Sequence, residues 1–213
     1  MKSLEFKIYK VKNNYALGLA LSICIFGFSP SLLSQSIYKI TDSKDIDMKL
    51  LGTSTLHKWS MDAKTFEGEA QFGFAPGNDH ELTSLKSLSF SLEALNLKSG
   101  EKSLDKNAYK ALKADQYKDI LYKLISATVS PEKENRYVIK SKGKLTIAGV
   151  TKEITMDILG IVNADGTITC NGSDKLNMTD YQVKPPSFML GAMKTGDAIT
   201  LEFTLVYKKQ KGT

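Results

Sequence analysis

The sequence predicts an all-β fold: a single antiparallel β-barrel of about eight strands, with one helix over roughly residues 101–116 covering the wall or closing one end. Three observations predict it. From Ile37 onward, apolar and polar residues alternate with the period of strands that bury one face. Turn residues recur at short, regular intervals, as hairpins between sequential strands require. The chain after its leader, about 177 residues, suffices for one domain with a sizeable core, and it shows no linker, low-complexity stretch or internal repeat.

The N-terminus reads as an export signal. Met1 to Tyr15 carries Lys2, Lys7, Lys10 and Lys12, and an apolar run from Ala16 follows, broken near its end by Pro30. The expectation is a signal peptide over 1–36, cleaved after Ser36 or alternatively Ser34, and a domain over 37–213 in the periplasm. The alternative is an uncleaved membrane anchor, because the run is nearly long enough to span a bilayer. A lipoprotein cleavage at Cys24 is disfavoured: Leu21, Ser22 and Ile23 only half resemble a lipobox, and apolar sequence continues past the cysteine. Without the leader's four lysines and one glutamate, the net charge of +6 falls to 25 basic minus 22 acidic residues, or +3. An excess this mild and even gives no nucleic-acid footprint. The mature part keeps one cysteine, Cys170, so no internal disulfide supports the fold.

The strands follow in order. Ile46, Met48 and Leu50 oppose Asp45, Asp47 and Lys49; Trp59, Met61 and Ala63 oppose Lys58, Ser60 and Asp62. Phe66, Gly68, Ala70, Phe72 and Phe74 alternate with Glu67, Glu69 and Gln71, and Leu88, Phe90, Leu92 and Ala94 with serines and Glu93. Residues 120–129 are apolar on both faces; Lys123 sets Ile120, Tyr122, Leu124 and Ser126 inward, and the outer face then needs a cover. The helix just upstream, with Leu104, Ala108 and Leu112 on one stripe and lysines elsewhere, is the candidate cover. In the second half Tyr137, Ile139 and Leu145 point inward, and the last strand sets Ile199, Leu201, Phe203, Leu205 and Tyr207 against Thr200, Glu202 and Thr204. Ala148-Gly149 and Asp165-Gly166 mark tight hairpins, and Pro185-Pro186 stops a strand.

Reacting groups are scarce. His57 and His80 with one mature cysteine give no zinc ligand spacing, and no nucleophile elbow, phosphate loop or Cys-x-x-Cys motif is present. Acidic residues on strands occupy the outward parity, His80 lies in a polar turn, and nothing near Cys170, a buried or turn thiol, argues for activation. The expectation is a protein that is not an enzyme and holds no metal.

The pieces STLHKW, SLDKNAYKALKADQYKDI, GKLTIAGVTKEITMDI, LNMTDYQVKPPSFMLGAMKTGD and ITLEFTLVY, in this order, resemble the YceI-like family of lipid/polyisoprenoid-binding proteins. The resemblance covers about residues 37–208, and the hairpin LTIAGVTKEI is its most specific part. One departure is Lys118, which follows Tyr117 where many members have proline. Membership implies a lipocalin-like barrel, bacterial export, and an interior able to hold a long isoprenoid chain.

Two functions from different classes follow. The first is a carrier with no cofactor of its own, which sequesters an isoprenoid lipid or quinone, the membrane serving only as ligand source or anchor. Its ligand-binding residues are His57, Trp59, Phe72, Leu88, Phe90, Leu92, Tyr122, Leu124, Ile139, Leu145, Met156, Ile158, Leu201, Phe203 and Leu205. Among them His57 either reads a ligand oxygen at the barrel mouth or is a partly buried residue satisfied by a backbone carbonyl. The second is an interaction module with a packed interior that acts through its outer surface. The apolar loop PPSFMLGAMKTG, with Phe188, Met189, Leu190 and Met193, is then a lid, a plug or a partner patch.

Overall fold

The computed structural model describes residues 36–41, 46–188 and 193–210. Residues 1–35 of the leader, residues 42–45, the loop tip 189–192, which holds Met189 and Leu190, and residues 211–213 lie outside the described residues. The described residues form twelve strands: β1 (Ile37–Ile40), β2 (Asp47–Ser54), β3 (Lys58–Ala63), β4 (Glu67–Ala75), β5 (Asn78–Glu93), β6 (Leu97–Lys98), β7 (Asp119–Lys133), β8 (Arg136–Ile147), β9 (Val150–Val162), β10 (Ile168–Asn177), β11 (Ser187–Phe188) and β12 (Met193–Lys209). Among the described residues one α-helix, α1 (Lys102–Leu112), interrupts them.

Eight strands close an antiparallel ring in the order β1-β4-β5-β7-β8-β9-β10-β12, and β12 returns to β1 with Tyr38 opposite Lys209 and Ile40 opposite Tyr207. Closure leaves the ring without a free edge. The remaining strands extend it at one end. The first half of β12 pairs with β2, β2 with β3, and β3 with β6, so that β2, β3 and β6 continue β1, β4 and β5. Three staves of the barrel are therefore broken at one level. The break between β3 and β4 is sewn to the one before β6 by Lys64 N donating to Asn96 O (3.0 Å) and Asn96 Nδ2 to Thr65 O (3.3 Å).

The far end is packed solid. β5 pairs with β7 only over Ser89–Glu93. Its first half, bent by bulges against β4, brings Leu82 and Leu85 into one cluster with Tyr38, Phe72, Tyr137, Ile139, Ile168 and Tyr207. Phe72 stands edge-on to Tyr38 and Tyr207, with ring centroids 5.3 and 5.7 Å apart. The Tyr137 hydroxyl donates to the His80 carbonyl at 3.1 Å, fixing β5 across this end. His80 is thus an exposed strand residue, not part of a turn.

The inward parities hold for most strands, with two corrections on β7. A bulge between Leu124 and Ser126 reverses the parity there: Ser126 faces solvent, and Ala127 and Val129 pack against the core instead. The outer apolar residues Leu121 and Ile125 stay 44% and 47% exposed, so no helix covers that wall. Helix α1 closes the other end. Ala108 and Leu112 pack against Met61, Leu92 and Leu97. The helix is shorter than the sequence suggests because Lys113 takes left-handed dihedrals (φ 52°) and Ala114 N donates to Tyr109 O, a helix-ending arrangement. Ala148-Gly149 forms the expected two-residue hairpin, both residues at positive φ, between Ile147 and Val150.

Candidate functional site

Between the packed end and α1 lies a cavity of about 150 Å³ whose lining is almost wholly apolar. Eleven of the residues expected to meet a ligand line it: Leu88, Phe90, Leu92, Tyr122, Ile139, Leu145, Met156, Ile158, Leu201, Phe203 and Leu205. A second, smaller cavity of about 80 Å³ lies under α1, lined by Trp59, Met61, Leu104, Ala108, Tyr181 and Val183 among others. Leu50, Leu97, Leu112, Ile147 and Ile199 border both and form the partition between them.

A barrel with this many inward aromatics should fill itself. It does not, because three rings lie flat against the wall. Gly52 faces Trp59 across the β2–β3 ladder, and Gly172 faces Phe203 across β10–β12. Gly143 of β8 is diagonal to Tyr122 of β7. A Cβ at Gly52 would overlap Trp59 Cζ2, at Gly143 Tyr122 Cζ and Oη, and at Gly172 Phe203 Cζ. Each ring thus occupies the space its neighbour's side chain would need, a covering of strand glycine by an aromatic. The indole nitrogen of Trp59 donates to Thr53 O at 3.1 Å, which holds that ring in place. The seats at Gly143 and Gly172 hold Tyr122 and Phe203 against the wall of the larger cavity, and the seat at Gly52 holds Trp59 against that of the smaller one.

The YceI-like domain pattern matches residues 42–207. The chain belongs to the YceI-like family. Among solved structures, this YceI-like chain is similar to BcnA of Burkholderia cenocepacia, at 17% identity and a TM-score of 0.58 over 76% of this chain and 95% of that one. It is also similar to a polyisoprenoid binding domain from Saccharophagus degradans implicated in plant cell wall breakdown (10% identity, TM-score 0.62, 81% and 98% covered). A third is the Campylobacter jejuni YceI protein (20% identity, TM-score 0.50, 70% and 86% covered). At these identities the likeness shows the fold, a lipocalin-like barrel. No curated protein matches the chain.

The remaining expected residues of this YceI-like barrel fall elsewhere. Phe72 belongs to the packed end, and Leu124 packs between the two main clusters at the β7 bulge. Trp59 lines the smaller cavity only. His57 is a correction: it sits in the tight turn between β2 and β3, exposed, with its backbone N–H bonded to Ser54 Oγ (3.2 Å) and its carbonyl accepting from Ser54 N (2.8 Å). A chain reversing direction has no inward parity, which is why reading Trp59's alternation back to His57 fails. Two lining residues carry no clear signal in the sequence, Leu85 and Leu176; Leu85 is hidden because the β5 bulges shift its parity.

The interior also holds polar atoms. The Ser141 hydroxyl donates to Met156 O (3.2 Å), whereas the Tyr122 and Tyr181 hydroxyls are buried with no hydrogen-bond partner among the described residues. Burial raises the pKa of Tyr122, and pushes that of Tyr181 up to about 12 with help from Asp174 and Asp180. Asp174 corrects the expectation that strand carboxylates all face out. It shares the parity of Cys170 and Leu176, beyond the last β9–β10 pair at Gly172, and burial raises its pKa too. Among the described residues, no three His, Cys, Asp or Glu side chains come together as a metal site.

Cys170 lies on the cavity wall, and burial pushes its thiol up to about 12. Neutral and covered, it should resist a water-soluble thiol reagent at pH 8 in the folded protein and react fully in denaturant. Peptide mass spectrometry checks this at Cys170 itself. Rapid labelling without denaturant would mean that the lumen opens freely to water.

Proposed function

We propose that this protein is an exported, non-catalytic carrier that sequesters the apolar chain of a lipid, such as a polyisoprenoid or isoprenoid quinone, inside its barrel. The observation that carries the reading is the apolar lumen kept open by glycine-seated rings. A protein selected for packing alone gains nothing from leaving that volume empty, since lost contacts destabilise a core. One structural relative is a polyisoprenoid binding domain, which supports the chain chemistry, and the lysine-led apolar leader supports export to the periplasm.

Affinity would come from burial, about 0.8 kcal/mol per methylene, set against the cost of immobilising the ligand. A cavity of about 150 Å³ holds a molecule of roughly benzene size. A longer chain must therefore part the partition at Leu112, Ile147 and Ile199 and run on into the space beneath α1. Met156, unbranched and adaptable, is a further wall residue able to yield.

The test is direct. The protein purified from its own host is extracted with organic solvent and the extract examined by mass spectrometry, with a stoichiometric prenyl lipid expected. Titration of lipid-free protein with a prenol should also change the emission of Trp59, the chain's single tryptophan. Protein that comes lipid-free and takes up neither prenols nor quinones would overturn the reading.

A further inference from the structure

The helix that closes the cavity turns a uniform face to solvent. Leu104, Ala108, Ala111 and Leu112 of α1 point into the barrel end. Opposite them Lys102, Lys106 and Lys110, spaced by four residues, form one exposed stripe, and Lys113 is exposed at the helix's C-cap beyond it. Among the described residues, none of these lysines takes part in an ion pair. Two acids share this face, Asp105 and Asp115, and Asp105 is committed to Ser99, accepting from its N (2.7 Å) and Oγ (2.6 Å). Lys98 extends the basic edge, donating to the Tyr109 hydroxyl at 2.9 Å with its ammonium 5.2 Å from that ring's centre. The Tyr109 hydroxyl in turn faces the carbonyls of Leu97 (2.8 Å) and Leu95 (3.1 Å), and the apolar side chain of Leu95 is 43% exposed.

A basic helix face with an aromatic and an exposed leucine at its border is the pattern of a segment resting on a charged lipid surface. We infer that α1 docks the barrel on anionic bilayers through Lys102, Lys106, Lys110 and Lys113, so that the end through which a chain enters lies at the membrane. The purpose rests on the carrier reading; the docking is measured independently of it. The negative surface attracts the whole stripe, which lies at the end of the barrel that α1 closes. Loss of α1's hold on Met61 and Leu97 would then open the partition toward the lipid, not toward water.

The protein, purified as the cell processes it, is partitioned onto vesicles of phosphatidylcholine alone and onto vesicles with one third phosphatidylglycerol. The readout is the ratio of the two partition coefficients, compared between variants that share the same N-terminus, so that any contribution from that segment is common to all. The wild type should favour the anionic vesicles, and less so as salt rises. Each lysine neutralised should lower the ratio by about fivefold, so K102Q/K106Q/K110Q should lose roughly a hundredfold. The variant K133Q/K208Q/K209Q, at the packed end, should keep the wild-type ratio. A wild-type ratio of one, an unchanged ratio in the helix variant, or an equal loss in both variants would each overturn the docking. Loading of a prenol from neutral detergent micelles should be the same in all three proteins. Failure of that loading in the wild type counts against the carrier reading and leaves the vesicle result standing.

Discussion

Gly172→Val should nearly abolish loading of a prenyl chain while leaving the barrel folded. The new side chain claims the space now held by the Phe203 ring, and backbone pairing of Gly172 with Phe203 leaves that ring only the lumen to move into. Excluding four ligand carbons removes about 3 kcal/mol of burial, a loss of roughly a hundredfold in affinity. Overpacking costs about 1–3 kcal/mol of stability, visible as an earlier denaturant midpoint. The decisive control is the double variant. With Phe203→Ala added, the displaced ring is gone and loading should return, a coupling that two independent defects would not produce. Loading that survives Gly172→Val alone would mean that Phe203 does not limit the calibre.

Phe90→Asp should have the second large effect. Phe90 lines the cavity and packs on Phe66 with centroids 5.5 Å apart. An aspartate there either carries an uncompensated charge into apolar surroundings or stays protonated at the cost of its hydration. Lipid uptake should be lost, and stability should fall by about 3 kcal/mol or more at neutral pH. Phe90→Leu, which keeps the apolar surface and sheds some volume, should retain most uptake. Denaturant titration beside a loading assay separates the effects; a folded Phe90→Asp variant with wild-type loading would remove Phe90 from the ligand's path.

Much of this is legible in the sequence, and the failures have physical causes. Alternation locates nearly every strand because one face of each is buried, so Trp59, Phe90, Ile139 and Phe203 are all assigned inward correctly. Where a bulge inserts an unpaired residue the period slips, and Ser126 is misassigned and Leu85 missed for that reason. His57 fails because a turn reads as a strand. Period alone also assigns no height along the barrel axis. Phe72 and Phe203 look alike in sequence, yet one fills the closed end and the other walls the lumen. The opposition of Gly52 to Trp59 and of Gly172 to Phe203 depends on register, which appears only once hydrogen-bonded partners are known. Leu121 and Ile125 show the limit of pattern reasoning in the other direction, since apolar residues on an outer face need not be covered.

The three broken staves give the barrel two mechanical characters. Below the fracture, β1, β4 and β5 belong to a continuous hoop closed around interlocked rings. Above it, β2, β3 and β6 form a short collar joined to that base through the long strand β12 and a few stitches. If the barrel carries a lipid as proposed, girth would be accommodated at this collar while the hydrogen-bonded base keeps the molecule closed.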